Sequence, residues 1–239
     1  MKYTKCFLLP IILTMLNFES VAQVEAVASN TGFNIRTFDP YTGKNLIPTE
    51  YSPDIEGSPY LLSQFTPANI ILLNGSTMKN MLLRFNQEKN EISFTDSLNN
   101  KFIFNKQVVR KVVFNTIFSN SGSFLVLKSG FPAIDKQDSN YLYEALAEGK
   151  IDLIKKNEKV IQTIKNELSG EVRKEFVEYN SYYIFSNKTI KLYRNDKSAL
   201  LDLMTDKQRE VDAYIASNKI NFKKNADVVK LVSYYNSLF

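Results

Sequence analysis

The hydrophobic pattern between residues 58 and 114 predicts a succession of antiparallel β-strands. An apolar run at 69–73 is followed by the dipeptide Asn74-Gly75, and a second apolar run ends at Phe85. Such a dipeptide between apolar runs favours a two-residue hairpin turn in which both positions take a positive φ. Three further segments continue the pattern as strands: 91–94, 101–104 and 108–114. We therefore expect a β-meander in this part of the chain.

The middle of the chain carries more strand candidates. Glu148-Gly149 is expected to form a tight turn between two of them. The segment 151–168 is open between strand and helix, because its apolar residues recur at spacings that suit both. The strand candidates are 124–127, 141–147, 150–154 and 182–193.

The last part of the chain changes to helical spacing. Leucines and Met204 cluster in 198–204, and Thr205 with Gln208 resembles a capping box at the start of a second helix. Asn225 is a candidate N-cap for a final helix with one apolar stripe. The predicted fold class is therefore α+β, with an antiparallel β-meander body and a C-terminal cluster of three short helices.

The first 22 residues have the features of a secretory signal peptide. Lys2 and Lys5 precede an apolar stretch at 6–16, and Ser20-Val21-Ala22 places small residues before a cleavage point at Gln23. About eleven apolar residues are too few to cross a bilayer, which needs ~20 in a helix. We therefore expect export to the periplasm, the cell surface or the medium, with no transmembrane span in the mature chain.

Four segments follow from these patterns. Residues 1–22 are the predicted signal peptide, and the polar, proline-punctuated residues 23–57 are predicted to be an extended lead-in. Residues 58–193 are the expected β-rich body, and residues 194–239 the expected helical C-terminal cap.

Composition then removes whole classes of chemistry. The chain has no histidine, and its one cysteine, Cys6, lies in the predicted leader. Histidine-based catalysis, histidine or cysteine metal ligands, thiol chemistry and disulfides are therefore excluded from the mature protein. The net charge of +5 falls by one with the leader, and its charges are interleaved, so we expect no nucleic-acid partner.

Carboxylates are the main remaining reactive groups, and two sets lie close together in sequence. Asp135 and Asp138 form one set, and Glu171, Glu175 and Glu178 form the other. Either set could suggest a cation site or a glycosidase pair, but the calcium-loop pattern is missing. Exposed, solvated charges are the favoured interpretation.

Tyrosines and lysines give weaker hypotheses. The tyrosines of 179–183, with Tyr193, Tyr234 and Tyr235, could form an aromatic platform, although core packing is the favoured interpretation. Lys197-Ser198 is a candidate dyad only by adjacency, and the lysines at 219, 223 and 224 are best explained as a solvated linker. The sequence therefore predicts no catalytic, cofactor-binding or metal-binding residue, and no cofactor.

Several short motifs resemble a family of exported proteins from Bacteroidota-type bacteria to which no activity is assigned. The resemblance implies the exported compartment and the order of strands before helices, and no functional residue. The motifs that carry it are Gly57-Ser58-Pro59-Tyr60-Leu61, Leu83-Arg84-Phe85-Asn86, Glu91-Ile92-Ser93-Phe94 and Tyr234-Tyr235-Asn236-Ser237-Leu238.

The functional expectation is a non-catalytic binding or structural component of the cell envelope. An envelope protein is a candidate partner. The alternative is a carboxylate-based hydrolase of the periplasm or cell surface, which requires two acidic side chains that converge in a cleft.

Overall fold

The computed structural model describes residues 51–96, 98–117, 124–168 and 170–239. The predicted signal peptide and residues 23–50 of the predicted lead-in lie outside these described residues. Eleven strands form one sheet within the described residues. The strands are β1 (Ile55–Glu56), β2 (Thr66–Leu72), β3 (Thr77–Asn86), β4 (Glu91–Thr95), β5 (Lys101–Ile103), β6 (Val109–Ile117), β7 (Phe124–Lys128), β8 (Tyr143–Ala147), β9 (Asp152–Lys165), β10 (Val172–Ser186) and β11 (Thr189–Tyr193). The helices are a 3-10 turn (Lys106–Val108), α1 (Lys197–Leu201), a 3-10 helix (Asp202–Lys207), α2 (Gln208–Asn218) and α3 (Asn225–Asn236).

The sheet joins two runs of sequential antiparallel strands. Strands β2 to β5 pair in chain order, and so do strands β6 to β11, while β2 pairs with β6 to join the two runs. β1 is parallel to β10, so the sheet is mixed. The α+β class is confirmed, but a single antiparallel meander was an imprecise description of this topology.

The segment 58–61 brings distant strands of the sheet together. The Leu61 N–H donates to the Phe85 carbonyl at the end of β3 at 3.0 Å. From the other side, the Lys159 ammonium of β9 donates to the Ser58 carbonyl at 2.7 Å. The sheet therefore curves, and alternate residues along β2, β3 and β7 are buried. The buried side chains of the sheet include Ala68, Ile70, Leu83, Phe85, Ile92, Val112, Phe114, Leu125 and Leu127.

The segment 151–168, for which the sequence left strand and helix open, forms strand β9 over Asp152–Lys165. β9 pairs with β10 along its whole length, from Asp152↔Phe185 to Lys165↔Val172. Its alternation suits a strand that is buried on both faces near β8 and half-exposed beyond it. The first part of β10, which the sequence pattern had not indicated as a strand, is fixed by this pairing.

Two hairpin turns differ from the sequence prediction. At Asn74-Gly75 the hairpin forms, but only Gly75 takes a positive φ, of 86°. The predicted strand 182–193 is in fact two strands, because Asn187 and Lys188 take φ of 50° and 61° and form a two-residue turn between β10 and β11. Positive φ at both central residues is the requirement of a type I′ hairpin turn.

The C-terminal helices begin at caps other than those predicted. Asp196 is the N-cap of α1, and its Oδ1 accepts the Ala199 N–H at 3.1 Å. Thr205 lies inside the 3-10 helix that continues α1, so it does not cap α2. Asn225 is the first residue of α3 rather than its cap. The predicted three short helices are thus an imprecise account of three α-helices with a 3-10 helix among them.

The helices pack on one face of strands β8 to β11. Leu153 and Ile184, which are paired across β9 and β10, contribute to an apolar core with Leu200, Leu231 and Tyr235. Helix α3 is also fixed to the β8–β9 turn, where the Asn236 amide exchanges two hydrogen bonds with the Ile151 backbone. No helix in the described part of the chain is both long and apolar enough to span a bilayer.

An aromatic cluster covers the opposite face of the same strands. Phe131, Tyr143, Ile154, Tyr183 and Ile190 pack there beneath the loop that joins β7 to β8. The two faces of β9 and β10 beside β8 and β11 are therefore covered by different parts of the chain, the helices on one face and the aromatic cluster on the other.

Candidate functional site

A cleft of about 690 Å³ opens between the β10–β11 hairpin and helix α1. The register Ile184↔Lys191 and Ser186↔Thr189 places these four side chains on one face of the hairpin, because residues directly opposite in an antiparallel pair share a face. The helix side is formed by Asp196, Ala199, Asp202 and Leu203. The remaining lining residues are Asn187, Leu192, Tyr193 and Arg194.

The local sequence builds this cleft with two turns. The Asn187-Lys188 turn returns β11 along β10, and Asn195, at φ 59°, then redirects the chain after β11. The next residue, Asp196, starts α1 by accepting the Ala199 N–H. Because only Arg194, Asn195 and Asp196 separate strand from helix, the two sides of the cleft are held close by the chain itself.

Charged side chains of both signs surround the cleft. Lys191 and Arg194 are exposed, and neither makes an ion pair with another described residue. On the helix side Asp202 is also exposed, while one carboxylate oxygen of Asp196 accepts the Ala199 N–H as the N-cap of α1. The cleft can therefore engage polar or charged groups, and its cations are available for an anionic ligand group.

Tyr193 adds a buried hydroxyl to the strand side. Its side chain is only 6% exposed, and within the described residues the hydroxyl has no hydrogen-bonding partner. Burial raises the pKa of Tyr193 above its ordinary value, and the nearby Asp196 carboxylate adds to this effect. The hydroxyl is therefore a neutral group at physiological pH.

The tyrosines predicted as a possible platform do not lie on one surface. Tyr183 and Tyr193 are buried on opposite faces of the hairpin, and Tyr235 is buried in the helical core. Tyr234 stacks on Tyr214, with 4.0 Å between ring centroids. Tyr179 is half-exposed and far along β10. The structure thus supports the favoured interpretation, that most of these rings pack in the core.

The predicted acidic sets are also dispersed. Asp135 accepts the Tyr183 hydroxyl at 2.9 Å, whereas Asp138 accepts the backbone N–H of Asn140 within its own loop. Glu175 and Glu178 are three residues apart on β10, so they point to opposite faces of the sheet. In the described part of the chain no three acidic side chains are grouped in a way that could hold a metal ion.

The predicted lysine sites have structural surroundings. The Lys197 ammonium lies 5.4 Å from the centroid of the Phe222 ring, and Ser198 is exposed on α1. The lysines at 219, 223 and 224 all fall in the connection between α2 and α3, where they are exposed. None of these residues lines the cleft.

Two features outside the cleft were not indicated by the sequence. In the aromatic cluster, burial raises the pKa of Tyr143 to about 12 and raises that of Tyr183 further, with the Asp135 carboxylate contributing at Tyr183. Beside the β8–β9 turn, Lys128 lies between Glu148 at 3.3 Å and Asp152 at 2.7 Å. These are contacts between residues far apart in sequence, so no local pattern could show them.

Comparison of the chain with protein families, with characterised proteins and with solved structures gives no match. The functional conclusion therefore rests on the chain's own residues and on the cleft.

Proposed function

We propose that this chain is an exported, non-catalytic binding component of the cell envelope, and that the cleft beside β11 is its binding site. The observation that carries the proposal is the cleft itself, with unpaired cations on one side and carboxylates on the other. Sites of this kind are concave and present a few polar groups that fix the orientation of a ligand.

Residue chemistry supports binding over catalysis. The chain has no histidine. Among the described residues that line the cleft, Ser186 is the only serine and there is no cysteine, and Ser186 pairs with Thr189 rather than with a basic residue. The lysine and arginine of the cleft are exposed, as expected for groups that attract a charged partner.

The test is capture of envelope proteins by tagged protein of residues 23–239, with a blocked cleft as the comparison. Ala199→Tyr places a large side chain in the cleft from the exposed surface of α1, and Ala213→Tyr makes the same change on the exposed surface of α2. We expect the wild type and Ala213→Tyr to retain the same protein after a high-salt wash, and Ala199→Tyr to lose it. Equal retention by both variants, or no retention by the wild type, would contradict the proposal.

A carboxylate-based hydrolase is the second candidate, and one observation favours it. Asp196 and Asp202 both line the cleft, which meets the requirement for two acidic side chains in one depression. Against it, Asp196 already serves as the cap of α1. The discriminating assay is release of reducing ends from envelope glycans by the wild type and by Asp202→Asn: activity that the substitution abolishes would establish the hydrolase, and no activity in either protein would remove it.

A further inference from the structure

We propose that the cleft receives an acidic, extended peptide segment of a partner protein, which adds as a strand to the outer edge of β11. This inference rests on the proposed binding function and specifies the partner chemistry of the same site. Three observations carry it: an open strand edge, unpaired cations along that edge, and the position of the cleft beside it.

The first observation is the edge itself. β11 pairs with β10 from Tyr182↔Tyr193 to Ser186↔Thr189, and no other strand in the described residues pairs with it. An edge strand presents unpaired backbone N–H and C=O groups on its outer side, and an extended peptide can satisfy them by continuing the sheet. The five residues of β11 provide a pairing length of ~17 Å, at ~3.4 Å per residue.

The second observation is the charge at this edge. Lys188 lies in the turn before β11, Lys191 lies within the strand, and Arg194 follows its end. All three side chains are exposed, and none makes an ion pair or hydrogen bond with a described residue. Exposed lysine on an edge strand also opposes pairing with a second cationic edge, so the favoured partner strand is an acidic one.

The third observation is the geometry of the cleft. Lys191 and Leu192 both line the cleft, but their side chains lie on opposite faces of β11: Lys191 shares its face with Ile184, and Leu192, 38% exposed, shares its face with Tyr183. A strand paired with β11 would alternate its side chains in the same way. Acidic side chains on one face would meet Lys191, and apolar side chains on the opposite face would meet Leu192.

This pattern defines the probe. Capped peptides of about seven residues are long enough to cover β11. One peptide alternates Glu with Val, and its partner alternates Lys with Val. Two further versions of the Glu peptide carry N-methyl groups on alternate residues. In one version the odd-numbered residues are methylated and in the other the even-numbered residues, so each version has one edge that cannot donate hydrogen bonds to β11. Binding is measured by calorimetry, and hydrogen exchange of the β11 amides is measured in parallel.

We expect the Glu peptide to bind at least about tenfold more tightly than the Lys peptide. One methylated peptide should lose binding by about tenfold or more while the other retains it, because only one edge faces β11. Amides of β11 should exchange more slowly with the Glu peptide present. Lys191→Glu should reverse the charge preference, and Lys79→Glu, the same change at an exposed lysine on β3, should not.

Several results would overturn the inference. Equal binding of both methylated peptides would exclude strand addition, and equal binding of the Glu and Lys peptides would exclude the acidic specificity. A dimer formed through β11 in sedimentation and exchange measurements would assign the edge to a second copy of the chain. If no peptide binds while Ala199→Tyr still abolishes capture of an envelope protein, the binding function stands and this inference fails.

Discussion

The contact between helix α3 and the β8–β9 turn should depend on the absence of a side chain at Gly149. A Cβ atom at this position would lie 2.6 Å from Asn236 Cγ and 2.8 Å from its Cβ. Asn236 cannot move without loss, because its Oδ1 accepts the Ile151 N–H at 3.0 Å and its Nδ2 donates to the Ile151 carbonyl at 2.7 Å. Gly149→Ala should therefore break both hydrogen bonds.

The magnitude follows from those two bonds. Loss of each bond leaves one backbone group of the buried Ile151 unpaired, at a cost of about 1–3 kcal/mol, so we expect a total loss of about 2–6 kcal/mol. Asn236→Gly should cost a similar amount, because it removes the same bonds. In that background the clashing atoms are gone, and Gly149→Ala should add only the cost of a side chain at φ 158°.

Urea unfolding of the wild type, both single variants and the double variant measures the coupling. We expect the double variant to be more stable than additivity predicts by about 1–3 kcal/mol. Gly75→Ala is the control, because its added Cβ meets nothing within 4 Å. Its cost arises from the positive φ alone and should add to that of Asn236→Gly. Additive behaviour of Gly149→Ala would refute the steric argument.

Four further predictions concern the aromatic cluster, the ion-pair network and the last hairpin. Tyr183→Phe removes the hydroxyl that donates to the Asp135 carboxylate, so it should lower the free energy of unfolding by about 1.5–3 kcal/mol. Tyr143→Phe removes a buried hydroxyl that has no partner among the described residues, so it should leave the free energy of unfolding unchanged or raise it. Urea unfolding measures both changes. Burial raises the pKa of Tyr143 to about 12, so its contribution is complete below the unfolded pKa of ~10 and is lost as the pH rises from there towards 12. Over that range the unfolding free energy of the wild type should fall more steeply than that of Tyr143→Phe; parallel slopes would contradict this. Burial raises the pKa of Glu148, but Lys111 and Lys128 outweigh burial, so the pKa of Glu148 is lowered overall. The stabilisation that Glu148 contributes is therefore present above its unfolded pKa and is lost as the pH falls. Glu148→Gln should reduce the dependence of the unfolding free energy on pH in the acid range. Lys188→Gly relieves a φ of 61° and should raise the midpoint of thermal unfolding by the equivalent of about 1 kcal/mol, and a lower midpoint would argue against strain at this turn.

Much of the fold could be predicted from short-range pattern, and the reasons are physical. Alternation and the Asn74-Gly75 dipeptide indicated β2 and β3, because side-chain period and turn chemistry act within a few residues. The helices at the C-terminus were indicated by spacing in the same way. The caps could not be assigned in the same way, since Asp196 and Thr205 are both residue types that cap helices, yet in the folded chain Asp196 caps α1 and Thr205 lies within the 3-10 helix.

Long-range pairing was the part that pattern could not supply. β9 read equally well as helix, and the first half of β10 carries many charged residues, so neither segment determines its own structure. Pairing over the full length of both strands fixes them as strands. The pairing of β2 with β6 could not be predicted either, because no local sequence pattern indicates which strands become neighbours in a sheet.

The candidate site was missed because its residues are ordinary when considered one at a time. Lys191, Arg194, Asp196 and Asp202 occur among many other charges, and no motif marks them. The signal that could have found them is the Asn187-Lys188 turn. Asparagine takes left-handed conformations more readily than most residues, so an interrupted strand at this point was open to prediction.

That turn determines both the cleft and the aromatic cluster. Because side chains alternate along a strand, one extra residue in the turn would exchange the two faces of β11. Ile190, buried in the aromatic cluster, would then face the helices, and Lys191 would be brought against the aromatic rings. Burial of Ile190 therefore fixes the register that presents Lys191 to the cleft. The apolar face supplies the stability, and the same register leaves the cationic face exposed at the proposed binding site.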